Sequence, residues 1–311
     1  MNYLRVGYGT LTVMRSATIK RILAVTILAA TVVLFARYYA AHPQYWHLLS
    51  TISPWVIVWI ILLNVAMTLV LTVMNIVTLR LCNLAIGWRE MFLLTSYSSL
   101  ANFFGPLQSG PGVRAVYLKA TYKLRIRDYT LATLITLGIY ALWNIVFLLI
   151  GTRPWWQTLL AFLAVGGVCG FVISHFKNRD SKGDEASHFV LYPSVLVALV
   201  ILTFLQIMTI AGWYFVELRA VDPHIGVGQV LSYTGAANFS LFVSITPDAV
   251  GIREAFLVFS QHIHHVPTRD IVSANVIDRA VYIVYLILLF AVVLAMHAKE
   301  KLQLTKLKLR R

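Results

Sequence analysis

Ser96-Tyr97-Ser98-Ser99-Leu100-Ala101-Asn102-Phe103 returns later in the chain as Ser232-Tyr233-Thr234-Gly235-Ala236-Ala237-Asn238-Phe239. Each copy is followed by a proline and then by Gly-(Val/Ile)-Arg. The first ends in Gly112-Val113-Arg114, the second in Gly251-Ile252-Arg253-Glu254-Ala255, with a three-residue insertion between the blocks. In a chain that is otherwise mostly hydrocarbon, a duplicated segment broken by glycine and proline and carrying an arginine is where membrane transporters build their sites.

The surroundings set the class. Hydrophobic residues make up 59% of the 311 and charged residues only 12%, about half the soluble norm of roughly 25%. The chain reads as an all-α polytopic membrane protein forming one transmembrane domain over residues 1–311. Runs of about 20 apolar residues cross a bilayer as helices. They are Ile22 to Ala40, Pro54 to Leu79, Tyr129 to Gly151, Trp155 to Phe176, Phe189 to Val216 and Ile271 to Met296. Arg5, Arg15, Lys20 and Arg21 precede the first, which reads as an anchor, not a cleaved signal peptide.

The repeat regions, Met91 to Val113 and Val227 to Ala249, are long enough to cross but interrupted. Pro106, Gly110 and Gly112 predict a helix break in the first, Pro247 and Gly251 one in the second, because proline removes a donor and glycine favours non-helical backbone. Loop charge chooses between crossing and returning. If both runs cross, making eight full spans, basic residues divide 14 to 11 across the membrane; if both return, they divide 19 to four. The second arrangement is the expected one: six full spans plus two re-entrant broken-helix hairpins, in a cell (cytoplasmic) membrane with both termini cytoplasmic. The hairpins then enter from opposite faces, so halves of about 22–151 and 155–296 form an inverted repeat.

Arg114, Arg253 and Arg279, with Asp248, Glu254 and Asp278, fall within or at the edge of the membrane zone. A central charge costs roughly 2.5–3.5 kcal/mol even on lenient insertion scales, so such residues face a wet cavity or pair with one another. The arginine fork matches phosphate, which suggests a lipid-phosphate headgroup site built from Arg114, Arg253, Glu254, Arg279 and Asp278, with Asn102 and Asn238 from the repeats. The alternative is a set of internal ion pairs locking helices. Sequence neighbours point to different faces, so such pairs would join separate elements.

Proline followed by Gly-Ile-Arg-Glu-Ala in the second half, and Asn-Phe, proline and Gly-x-x-x-Arg in the first, resemble the flippase-like transmembrane domain of bacterial lysylphosphatidylglycerol synthases, here as a stand-alone chain. The resemblance covers nearly the whole sequence and is most specific at Pro247 to Ala255 and at Arg279. It implies movement of lipids, or of lipid-linked sugars in some relatives, between leaflets. Pro111 stands where that family usually carries an acid after the glycine.

The expected function is therefore translocation of an anionic phospholipid or lipid-phosphate-linked headgroup. The alternatives are a membrane-embedded lipid-modifying enzyme, with Glu254 or Asp248 as base, and an accessory scaffold for envelope lipid or glycan synthesis. No synthetase or transferase domain, nucleotide loop, cofactor motif or catalytic residue set is visible. His262, His264 and His265 near Asp270 match no metal spacing and read as exposed loop histidines. Cys82 and Cys169 read as packing residues. Membrane lipids are the expected partners, an envelope lipid-modifying enzyme or glycosyltransferase also fits, and nucleic acid does not. The basic tail, Lys299 to Arg311, suits anionic cytoplasmic lipid at about 1 kcal/mol per residue, or serves as a topology signal.

Overall fold

Proline opens two of the longest helices, where its missing N–H costs nothing. The structure, a computed structural model, describes residues 50–104, 109–150, 154–180, 189–243, 249 and 252–309, with backbone alone at 104, 162, 165, 168, 169, 172–180, 242, 243 and 297–309. The fold is all-helical: α1 (Pro54–Arg80), α2 (Trp88–Phe104), α3 (Gly110–Tyr122), α4 (Ile126–Ile150), α5 (Trp155–Asp180), α6 (Pro193–Val221), α7 (Val227–Val243), α8 (Ile252–Phe259), α9 (Gln261–His264) and α10 (Thr268–Leu309). Among the described residues, α1, α4, α6 and the Thr268–Met296 part of α10 are long and apolar enough to cross a membrane. Helix α5 coincides with the predicted Trp155 to Phe176 span, while the predicted Ile22 to Ala40 span lies outside the described residues.

Hydroxyls inside the apolar helices are satisfied locally. Thr72, Thr78, Ser98, Thr203 and Thr234 each donate to the carbonyl four residues earlier, as buried polar groups without water must.

Helices α2 and α3 form a hairpin. At its open end Tyr117 and Tyr122 of α3 donate to Glu90 in the first turn of α2, each at 2.7 Å. At its tip Ser109 Oγ donates to the Ala101 carbonyl (2.6 Å) and Gly110 N–H to Asn102 Oδ1 (2.6 Å). The break therefore precedes Gly110, and Pro106, the other residue expected to cause it, lies outside the described residues. Gly110 and Gly112, expected to break the helix, instead lie in the first turn of α3, where Pro111 is tolerated. The second repeat makes a matching hairpin from α7, α8 and α9, closed at its open end by Gln229 Nε2 donating to the His265 carbonyl (3.2 Å). Its turn, with Pro247 and Gly251, lies outside the described residues.

One end of the bundle holds a core of Leu81, Ile86, Met91, Leu118, Leu124 and Phe189, and the other a core of Leu218, Ile225, Tyr233, Leu257, Val266 and Ile271. Val190 N–H donates to the Leu81 carbonyl at 2.7 Å, and Gly212 lies beside Leu63, so α1 and α6 pack antiparallel. Helix α4 packs on α7 as α10 packs on α2, and α4 on α6 as α10 on α1. Exchanging the halves maps this pattern onto itself. The match extends to sequence: Val77-Thr78-Leu79-Arg80 at the end of α1 becomes Val216-Glu217-Leu218-Arg219 at the end of α6.

Candidate functional site

Each arginine of the repeat follows its hairpin turn, and the two meet different surroundings. In the second half Arg253 and Glu254 stand side by side on α8, facing Asp278 and Arg279 side by side on α10. Arg253 Nη2 is paired with Asp278 Oδ2, and Arg279 Nη2 lies 2.6 Å from Glu254 Oε1. Arg253, Asp278 and Arg279 are buried, while the Glu254 side chain keeps 26% of its exposure. Four of the expected site residues are thus brought together as two crossed ion pairs between elements. Of the two carboxylates that a headgroup-modifying reaction could use as base, Glu254 is occupied by Arg279 and Asp248 lies outside the described residues.

In the first half Arg114 is half-buried. Its Nε donates to the Tyr129 hydroxyl at 3.2 Å, and no carboxylate pairs with it among the described residues. It borders a cavity of about 60 Å³ that also meets Asn75, Thr78, Tyr129, Thr133 and Thr136. The Thr78 and Thr136 hydroxyls hydrogen-bond to each other in its wall at 3.0 Å, and Asn75 donates to Thr95 at 3.2 Å. Where the second half offers carboxylates, the first offers hydroxyls and amides. A guanidinium so placed presents its remaining N–H groups to an anion.

The two asparagines of the repeat sit at the hairpin tips. Asn102 clamps Gly110, and Asn238 is buried with its Nδ2 unpartnered. Neither meets the four charged residues through any hydrogen bond described for it.

Two carboxylates escape the sequence reading. Glu217 is 1% exposed, accepts the Trp213 indole N–H at Oε1, and has no partner at Oε2. Asp128, also buried, has an unpartnered Oδ2. Both lie one residue outside an apolar run, where a charge reads as interfacial. The signal that finds Glu217 is its register with Thr78 in the repeat. Asp128 also acts on Cys82, whose thiol burial first, and this negative charge second, push up to about 12.

The histidines correct one expectation. His262 and His265 are exposed, but His264 is fully buried, its Nδ1 accepting from Val266 N–H (3.1 Å) and its Nε2 facing the Leu257 carbonyl (2.9 Å). Burial lowers its pKa. Among the described residues no group of three histidine, cysteine or acidic side chains is arranged to hold a metal. Cys82 packs in the core as expected, and the Cys169 side chain lies outside the description.

The lysylphosphatidylglycerol synthase TM region family matches residues 21–291, and no curated protein matches the chain. The chain belongs to that family: it is a multi-pass membrane protein of a group named for phospholipid synthesis.

Proposed function

We propose that this chain is a lipid translocase of the cell membrane, and that Arg114 receives the phosphate of an anionic phospholipid or lipid-phosphate-linked headgroup. The observation that carries the reading is the contrast between the two halves. Arg253 and Arg279 are neutralised by carboxylates, whereas Arg114 borders a small cavity whose lining is mostly apolar (Met74, Leu79, Met91, Leu118, Leu137) and whose polar edge is the neutral groups of Asn75, Thr78, Tyr129, Thr133 and Thr136. Hydroxyls and amides replace water around a phosphate without repelling it, while the acyl chains stay in the bilayer.

The topology supports the reading. At about 1.5 Å per residue, α3 is roughly 20 Å long and α8 roughly 12 Å, against a hydrocarbon core of about 30 Å. Each hairpin closes on itself at its open end, consistent with entry and return from one face. Antiparallel packing of α1 on α6 is what an inverted repeat requires, and such pairs rock about a shared site to give alternating access. On this reading the crossed ion pairs of the second half form the lock, and the first half forms the headgroup site. Both termini are cytoplasmic, on the side of Arg80 and Lys119.

Purified protein in liposomes carrying a labelled anionic phospholipid tests the assignment. Arg114→Ala is expected to slow leaflet exchange about 10-fold to 100-fold, the loss of one charge-assisted contact of roughly 1.5–3 kcal/mol. Arg114→Lys recovers part of it, because a point charge replaces a fork. Unchanged exchange in Arg114→Ala overturns the site. Chemically altered lipid favours the enzyme reading, and neither exchange nor alteration favours the scaffold.

A further inference from the structure

Glu217 has no place in the headgroup site, yet it is among the most completely buried carboxylates described. One oxygen accepts the Trp213 indole N–H; the other is sealed from solvent and from every donor. The charged and titratable groups around it can be named element by element. From its own helix comes Tyr214, from α4 Tyr140, which acts on Tyr214, and from α7 Tyr233, with His264 of α9 edge-on to that ring. Arg253 of α8 and Asp278 of α10 act on it directly, and Glu254 and Arg279 lie beside them. Helix α1 contributes Val56, Ile57, Ile60 and Ile61, and the segment before it Ile52, none of which carries charge.

Among the described residues, three carboxylates therefore share two guanidiniums. Asp278 and Glu254 take Arg253 and Arg279, leaving Glu217 with a single neutral donor. A carboxylate deprived of water and of any cation in hydrogen-bonding contact reaches neutrality by binding a proton. Its register in the repeat underlines the point: the equivalent position in the first half is Thr78, a neutral hydroxyl facing Thr136.

We propose that Glu217 is a proton-binding site, and that its occupancy controls the lock between α8 and α10. With the proton bound, the group is neutral and does not compete with Asp278 for Arg253. When Glu217 releases its proton to water, it becomes a second anion competing for Arg253, and the hold of α8 on α10 weakens. One proton thus enters and leaves per opening of the second half. The coupling rests on the translocase reading; proton binding does not.

The experiment has one arm for each. In reconstituted protein, infrared difference spectra across a pH titration should show a protonated carboxylic-acid carbonyl band that disappears in Glu217→Gln. In vesicles with an imposed pH gradient, wild-type lipid exchange should respond by up to about tenfold per pH unit, the ratio a single proton can transmit. Exchange by Glu217→Gln should ignore the gradient. A titrating band that persists in Glu217→Gln, or gradient-sensitive exchange by that variant, overturns the proposal. Should Glu217→Gln fail to fold, Glu217→Asp serves: its band should be displaced from the wild-type frequency, and an undisplaced band assigns it to another carboxyl and overturns the proposal. Wild-type protein that moves no lipid sinks the translocase reading, while the carbonyl band still decides the proton site.

Discussion

Arg253 and Arg279 stand on different helices, and each takes its carboxylate from the other's helix, so removing one partner strands a charge. Stranding a buried charge costs about 3–5 kcal/mol, because its desolvation is no longer offset. Asp278→Ala should therefore lower thermal stability in detergent by that amount. Glu254→Ala should cost less, about 1–2 kcal/mol, since the Glu254 side chain is 26% exposed and water can replace it at Arg279. The exchanged variant Arg253→Asp with Asp278→Arg should recover part of the loss. Equal losses for the two acid variants would show that burial is not what separates the pairs. All four charges were legible in the sequence, since ionisable residues in or beside apolar runs are conspicuous. Their pairing was not, because it depends on the rotation of α8 against α10. Glu217 and Asp128 were missed for a different reason: a span is cut at its first charge, and the charge at the cut is then assigned to water.

Glycine decides how closely the helices approach. A Cβ on Gly235 would lie 2.5 Å from Leu148 N and 2.7 Å from the Asn144 carbonyl, so α7 touches the backbone of α4 there. On Gly110 it would meet Asn102 Oδ1 at 2.6 Å and the Ser98 carbonyl at 2.7 Å, inside the first hairpin. On Gly212 it would meet only Leu63 Cδ2 at 3.7 Å, an ordinary contact. Gly235→Ala and Gly110→Ala should each destabilise by about 1–3 kcal/mol, the cost of overpacking, and Gly110→Ala should also loosen the Asn102 clamp. Gly212→Ala should be neutral or stabilise by up to about 1 kcal/mol through helix propensity. Thermal unfolding of the three variants separates them, and a destabilised Gly212→Ala would contradict the geometry. At this scale the four spans found among the described residues read directly from apolar run length, whereas Gly110 and Gly112 did not break their helix. Sequence placed the break at Pro106, Gly110 and Gly112; Pro106 lies outside the described residues, while proline suits a first turn and the Gly110 N–H already has Asn102 as its acceptor, so the helix begins at Gly110.

For the whole molecule the question is how many times the chain crosses. Arg80, Arg89, Lys119, Lys123, Arg125 and Arg127 gather at one end of the bundle, with Arg219 and Arg269 at the other. Helix α10 runs parallel to α1, Ile277 and Val281 packing on Ile60 and Tyr285 bonding Thr68, so its basic tail leaves from the first end. Loop charge had predicted this division, because that count needs no geometry. It could not show that α1 and α6 meet antiparallel, which rests on the bond between Val190 and Leu81. Six spans with two returning hairpins place Arg80 and Lys119 on one face and Arg219 and Arg269 on the other. Eight spans would instead put Arg80 with Arg219, and Lys119 with Arg269. Single cysteines at these four exposed positions, labelled with an impermeant maleimide in oriented vesicles, distinguish the two pairings. Cys82 does not interfere from the described core, because its thiol is buried and held far from thiolate formation, the reactive form. We expect Arg80→Cys and Lys119→Cys to label from the cytoplasmic face only, and Arg219→Cys and Arg269→Cys from the opposite face only. Labelling of Lys119→Cys together with Arg269→Cys would remove the inverted relation between the halves, and with it the physical basis for alternating access.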